Sequence, residues 1–379
     1  YEKNYKGNYM IKKIPFMDLR ISNAFEKEML LNSFQRLMNH GQYIMGQEVD
    51  NFEKKFATYC NRKYCIGVSS GTDAIFIALK SLGIGPGDEV ITTSLSWIAT
   101  ANAISMTGAE PVFCDITDDL NINVDSLKNM ISERTKAILP VHYTGRPCNI
   151  DGISEISKMC KIPVVYDAAQ SFGSTYNKQP IGMYGDIACF SMNPMKTLGA
   201  LGEAGCILTD DEEFYKYMKV FRYNGTINKE FCLIKALNGR IDSLQAAFLV
   251  DRLELLNDKI EKIKSICNHY NHLLKNIVSI PESDTSNSSS CYYSYTVQVD
   301  NRDSLAKYLL KYGVETKVQH PILMCDQKPY LECRSDNVDN ARRIVNKILC
   351  LPANEKITKS EVKYISTLIT KFKNKKKYR

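Results

Sequence analysis

With 379 residues, 44% of them hydrophobic, the chain can bury a large core as one large domain or two of medium size. Its formal net charge of +7 owes much to the terminal run KFKNKKKYR, residues 371–379, which reads as a solvated or frayed end, and its 49 basic and 42 acidic residues are otherwise interspersed as on an ordinary soluble surface. A nucleic-acid partner is therefore not expected, and the thirteen cysteines, scattered without a CxxC pair or a zinc-like spacing, suggest free thiols in a reducing cytoplasm and no metal.

In chain order, YEKNYKGNYMIKKIPFMDL carries charge but no apolar stretch of a signal peptide. No later stretch is apolar for long enough to span a membrane. From about residue 45 to 250, short apolar runs alternate with helical patterns. YCIGVSS predicts a strand and GTDAIFIALKSLGI the helix after it; DEVITTS and SWIATANAISMTG repeat the pair. EPVFCDI, KAILPVH, IPVVYDAA, DIACFSM and GCILTD are further strands. β-branched runs bounded by turn residues, with helices between, mark an α/β domain on a mostly parallel sheet, with room for an antiparallel strand. NGRIDSLQAAFLVDRLELLNDKIEKIKSICNHYNHLL, residues 238–274, then reads as one long helix. Past the polar PESDTSNSSS come a strand (CYYSYTVQV), a helix (RDSLAKYLLKYG) and a terminal helix (TKSEVKYISTLITKF), a smaller α+β unit completed by the N-terminal segment.

Four stretches carry chemistry. SSGTDA, residues 69–74, ends a strand and starts a helix at Gly71, so free amides and the helix dipole make an anion site with the Thr72 hydroxyl beside it; a plain N-cap would look the same. SLSWIATA holds the one tryptophan, Trp97, whose face could stack on an aromatic ligand or fill the core. VVYDAAQSFG puts Asp167 at the end of an apolar strand, where a carboxylate is costly unless paired; a protonated heterocyclic nitrogen would suit it, and a helix cap is the other reading. CFSMNPMKTLGALGEAG, residues 189–205, holds one lysine, Lys196. Kept from water, its amine becomes a nucleophile toward carbonyls; on an exposed turn it would do nothing. Taken together, a phosphate cradle, a stacking ring, a buried acid and a lysine are the parts of a pyridoxal 5′-phosphate site, in which the acid keeps the pyridine nitrogen protonated and the lysine forms the Schiff base.

From IPFMDL at residue 14 to near the C-terminus, and most specifically in GIGPGDEVITTSLSWIATANAI and DAAQSFGS…IGMYGDIACFSMNPMKTLGALGEAG, the chain resembles the DegT/DnrJ/EryC1/StrS family. These are nucleotide-sugar aminotransferases among the fold-type I pyridoxal-phosphate enzymes. The resemblance implies an aspartate-aminotransferase-like α/β fold: a large, mostly parallel-sheet domain over 14–255, a smaller α+β domain over 256–379, and a flexible lead-in, 1–13. It implies Lys196 as the cofactor-linked lysine and Asp167 as partner of the pyridinium nitrogen. Gln170, one turn along the same helix, would meet the ring hydroxyl, Trp97 would stack on the ring, and Gly71, Thr72 and Ser191 would bind the phosphate. NGRIDSLQAA matches a segment that enters the neighbouring subunit's site in the family's homodimers, with Asn238 and Arg240 as the contacts. The implied reaction passes an amino group from L-glutamate to a ketone of a nucleotide-linked keto-deoxy sugar, for cell-surface polysaccharide or glycan biosynthesis, with Lys196 moving the proton.

The acceptor side departs from the family. Where many sugar-acting relatives read roughly HYPIPLHLQKAY, this chain has QHPILMCDQKPY, residues 319–330, so that Gln319 and Cys325 replace histidines around His320, and Tyr293 replaces another upstream. Gln319, His320 and Cys325 are thus the expected substrate residues. A smaller ketone, such as a phosphorylated ketose or cyclitol, is the alternative acceptor, and a cofactor-sensing regulator the remote one. NGRIDSLQAAFL resembles the version found in enzymes that aminate C-3, with C-4 left open.

Overall fold

The computed structural model describes residues 13–377; most of the expected flexible lead-in and the last two residues of the basic run lie outside them. Helices α1 (Ala24–His40) and α2 (Gln47–Tyr59) precede the first strand. The Asn23 side chain starts α1 by accepting from the Phe25 and Glu26 amides, and Gly41, at φ 72°, ends it.

Strands and helices then alternate: β1 (Tyr64–Val68), α3 (Gly71–Ser81), β2 (Glu89–Thr93), α4 (Ala99–Met106), β3 (Glu110–Cys114), α5 (Val124–Met130), β4 (Thr135–Leu139), α6 (Ile150–Cys160), β5 (Val165–Asp167), β6 (Ile187–Ser191), β7 (Gly205–Thr209) and α7 (Glu212–Phe221). Isolated bridges Ile138–Val164 and Val141–Asp167 link β4 to β5. The sheet therefore runs β3-β2-β4-β5-β6-β7-β1. Every strand is parallel but β7, which is antiparallel to both β6 and β1. Successive residues feed opposite faces, and both faces are buried: Ile91, Ile138, Ala188 and Phe190 pack into one cluster, and Val90, Ala137, Ile187 and Cys189 into the other. Apolar runs without polar alternation are what a sheet covered by helices on both sides requires.

The long helix expected over 238–274 is two, α8 (Ser243–Glu254) and α9 (Leu256–Leu274). The break at Leu255 lets the two apolar faces serve different cores. Leu249 and Val250 pack with the sheet, as do Leu256 and Ile260 of the first turns of α9. From Ile263 onward α9 packs on a second core shared with β8 (Tyr295–Gln298), α10 (Arg302–Lys311), β9 (Ile348–Leu351) and α12 (Lys359–Lys377). Ile14 joins that core and bridges to Val314. The strand expected over 291–299 is shorter because Tyr292 takes a left-handed φ of 51°, which ends pairing before Tyr295. A helix not read from the sequence, α11 (Asp339–Val345), precedes β9. The basic run is helical as far as Lys377, as the end of α12. No helix among the described residues is long and apolar enough to cross a membrane.

Candidate active site

The carboxyl ends of β1, β2, β5 and β6 meet at one edge of the sheet, where parallel α/β folds place their ligand sites. They open into a cavity of about 820 Å³. Gly71, Thr72, Trp97, Asp167, Gln170, Ser191, Lys196, Gln319 and His320 all line it. The structure thus brings together nine positions expected from the sequence.

At the β1–α3 junction, Ser70 caps α3 by accepting from the Asp73 amide at 3.1 Å. The first-turn amides keep no backbone partner within the helix and face the cavity with the positive end of its dipole. Gly71 has a steric reason here: a Cβ at this position would lie 2.5 Å from the Ser191 Cβ. Only glycine lets the helix start lie against the end of β6, and the same approach brings the Ser191 hydroxyl into the cradle. Upstream, β1 is anchored by a buried charge pair. Glu53 accepts from the Gly67 amide at 2.9 Å, Arg222 donates to the Gly67 carbonyl at 2.8 Å, and the two side chains meet each other.

Asp167 closes β5 and is buried. It accepts from the Thr100 hydroxyl at 2.8 Å and the Ala169 amide at 3.1 Å, and Thr100 is itself within 3.1 Å of the Ser96 hydroxyl. Burial still pushes its carboxyl above the usual range, although Thr100, Ala169 and the Lys196 charge pull the other way. A carboxylate in that state is completed by a cation facing it. Residues 168–174 are turns and not the expected helix. Gln170 nevertheless reaches the cavity, with its Oε1 taken by the Thr144 amide at 2.9 Å, which leaves the NH₂ end to donate.

Lys196 lies in the loop between β6 and β7. Burial lowers its pKa against the opposing pull of Asp167 and Glu203, and Lys317 lowers it further. Its Nζ sits 4.7 Å from the centroid of the Tyr293 ring, and no carboxylate among the described residues forms an ion pair with it. A neutral amine is thereby brought nearer to physiological pH, as a carbonyl-attacking lysine needs. Trp97 is 61% exposed, which excludes a core role and leaves its face open at the cavity mouth, 5.8 Å from the His320 ring.

Three expected positions lie elsewhere. Cys325 falls on a 3₁₀ turn, Met324–Asp326, that directs it into the cluster holding Leu323, Met324 and Tyr330, away from the cavity lining. Asn238 and Arg240 lie outside the cavity of their own chain; Arg240 donates to Asn238 at 2.8 Å and stacks 4.7 Å from the Tyr223 ring. Tyr293, read from the sequence as a departure on the acceptor side, lines the cavity too, and Thr100, Glu203 and Lys317 line it without having been singled out as contacts. For Thr100 the signal was available, since it sits one helical turn past Ser96 in SLSWIATA. Among the described residues no His, Cys, Asp or Glu cluster could hold a metal.

The residues present fit pyridoxal phosphate: an anion cradle that a Cβ would fill, a flat face, a buried acid lacking a cation, and a depressed lysine amine. Fold and site together define a pyridoxal-phosphate-dependent aminotransferase of fold type I. The family model for the DegT/DnrJ/EryC1/StrS aminotransferase family matches residues 25–370, and the chain belongs to that family. It is 36% identical over 363 residues, 95% of this chain and 99% of the other, to dTDP-3-amino-3,6-dideoxy-alpha-D-galactopyranose transaminase of Aneurinibacillus thermoaerophilus. It is 35% identical, over 94% of this chain and 99% of the other, to UDP-2-acetamido-2-deoxy-3-oxo-D-glucuronate aminotransferase of Pseudomonas aeruginosa. The solved structure of NtdA from Bacillus subtilis with bound cofactor PMP, the amine form of pyridoxal phosphate, superposes with a TM-score of 0.88 at 30% identity, covering 97% of this chain and 87% of that one.

Proposed function

We propose that the enzyme transfers an amino group from L-glutamate to the C-3 ketone of a nucleotide-linked keto-deoxy sugar. The observation that carries the reading is that Asp167, Lys196 and the free start of α3 open into one cavity, which continues past them to Gln319, His320 and Lys317. That continuation leaves space for an acceptor beyond a cofactor seated on the strand ends. The two relatives compared above are named for 3-amino and 3-oxo sugars, which supports C-3.

Bound pyridoxal phosphate supplies the electron sink and carries the amino group between the half-reactions. Gly71, Thr72 and Ser191 would hold its phosphate, Trp97 would cover the ring, Gln170 would donate to the ring hydroxyl and Asp167 would face the protonated nitrogen. The Lys196 amine takes the proton from the donor's α-carbon and returns one to the acceptor carbon; its lowered pKa lets it do both near neutral pH. Asn238 and Arg240 reach a site through a second copy of the chain. A dimer also fits the short antiparallel hairpin of Thr226–Ile227 and Phe231–Cys232 before them, where Phe231 is 69% exposed and Ile227 and the adjoining Leu233 are exposed as well.

The test is to load the enzyme in the amine form and offer a panel of ketones while following the absorbance of lysine-bound cofactor. Nucleotide-linked 3-keto sugars should restore that absorbance faster than 4-keto sugars. A response to small phosphorylated ketoses alone would reassign the acceptor, and silence across the panel would defeat the aminotransferase reading.

A further inference from the structure

We propose that Tyr143 is a positioning residue that fixes His320 in its Nε2-protonated, neutral form, so that His320 presents an N–H to an oxygen of the keto acceptor. The proposal rests on the aminotransferase reading and deepens it, because it says how the acceptor end of the cavity selects its substrate.

Tyr143 lies just after β4, with 1% of its surface exposed. Its phenol oxygen is 2.9 Å from His320 Nδ1, and no other hydrogen bond of that hydroxyl is found among the described residues. A buried phenol O–H needs an acceptor. Nδ1 is the one within reach, so Tyr143 donates to it. An imidazole nitrogen that accepts carries no proton, and in the neutral ring the proton then sits on Nε2. The ring stays neutral because burial, followed by the charges of Lys196 and Lys317, lowers its pKa to about 4. Burial raises the Tyr143 phenol well above its ordinary value, so it remains a donor throughout.

The other side of the ring is open to a ligand. His320 lines the cavity, and its Nε2 makes no hydrogen bond among the described residues. The adjoining Gln319 is buried at 6% exposure, lines the same cavity, and its Oε1 accepts nothing. A buried polar atom without a partner is costly, and a turn of the Gln319 side chain into the cavity it lines would let that oxygen accept from a ligand hydroxyl. An N–H donor beside a carbonyl acceptor matches an oxygen that both accepts and donates, which is the chemistry of a sugar hydroxyl next to the reacting ketone. His320 also holds a left-handed φ of 51°, a conformation that is unfavourable for a residue other than glycine and that clusters at ligand sites.

The test is nitrogen-15 NMR of the protein labelled at the five histidines of this chain, with the His320 signals assigned by their loss in His320→Gln. At neutral pH the wild-type ring should show the Nε2–H tautomer. A Nδ1–H tautomer or a protonated ring would overturn the proposal. In Tyr143→Phe the tautomers should mix and the acceptor KM should rise about tenfold, more than kcat falls, as for one lost hydrogen bond. An unmixed Nε2–H signal together with an unchanged acceptor KM would equally overturn it. If Tyr143→Phe does not fold, the wild-type tautomer still decides. In Lys196→Ala the tautomer should persist although turnover is gone, which separates this proposal from the aminotransferase reading it rests on.

Discussion

The cradle end of the cavity and the acceptor end are built from different material. The first is carried on strand ends and the start of α3, where Asp167 takes two hydrogen bonds and Ser70 caps its helix. The second is residues 317–327, without a strand and with only a single 3₁₀ turn. It is held over the strand ends by Leu323 and Met324, which pack with Leu95, Phe113 and Tyr143. Its polar groups are less settled: the Gln319 carbonyl has no partner, and Lys317 makes no ion pair among the described residues. The groups proposed to hold the cofactor thus sit on strand ends and a helix start, whereas those proposed to choose the acceptor sit on a segment outside the sheet.

The comparison predicts unequal losses at the two ends. Lys196→Ala should abolish turnover, by at least ~10⁴-fold, and remove the absorbance of lysine-bound cofactor; measurable turnover comparable to wild type would end the assignment. Asp167→Asn keeps the Thr100 hydrogen bond but cannot stay charged against a protonated ring, so kcat should fall roughly 10²–10³-fold, read in single-turnover experiments with glutamate. By contrast Gln319→Ala should cost only about tenfold, chiefly in the acceptor's KM. A loss at Gln319 as large as that at Asp167 would remove the distinction between the ends.

The same division explains what could be read from the sequence. Gly71, Trp97, Asp167 and Ser191 each stand at or just past the end of a strand, and Lys196 follows one closely, so local patterns place them without knowledge of the fold. The alternation of strands and helices gave the sheet for the same reason, and the polarity of β7 did not follow from it because the loop before it carries no helix. Cys325 was misplaced because a 3₁₀ turn rotates it into the core, which linear spacing does not show. Tyr143 and His320 are 177 positions apart, and nothing local to either marks the hydrogen bond between them. Gln170 reaches the cavity although its segment turns instead of forming a helix, since the tight turn after Asp167 points it the same way.

A smaller effect probes the cradle's close packing. In Gly71→Ala the new methyl meets the Ser191 Cβ at 2.5 Å, and moving α3 away from β6 should cost about 1–3 kcal/mol. Because the start of the helix is what moves, the loss should appear as roughly tenfold weaker cofactor binding, measured by titration of the cofactor-free protein. An unchanged affinity would mean that the phosphate does not depend on this approach.

The smallest effect has the opposite sign. In the cofactor-free protein Asp167 has a pKa raised above 3.8 by burial, so the folded state holds its proton more tightly than the unfolded one. Stability from this group therefore falls as pH rises from 3.8 through the raised value, and the deficit persists at neutral pH. Lys196 has a pKa lowered below 10.5, also by burial, so its charge opposes folding at every pH below the lowered value and the deficit fades as pH rises toward 10.5. At neutral pH both charges thus weaken the empty protein. Asp167→Asn and Lys196→Met should then each raise the melting temperature of the cofactor-free form, by about 1–2 °C for each kcal/mol recovered in a chain of this size. Scanning calorimetry at pH 7 reads this directly. If either substitution lowers the melting temperature, the buried charges are already compensated without a ligand, and the cradle end is no more prepared for a cofactor than the other end is for its acceptor.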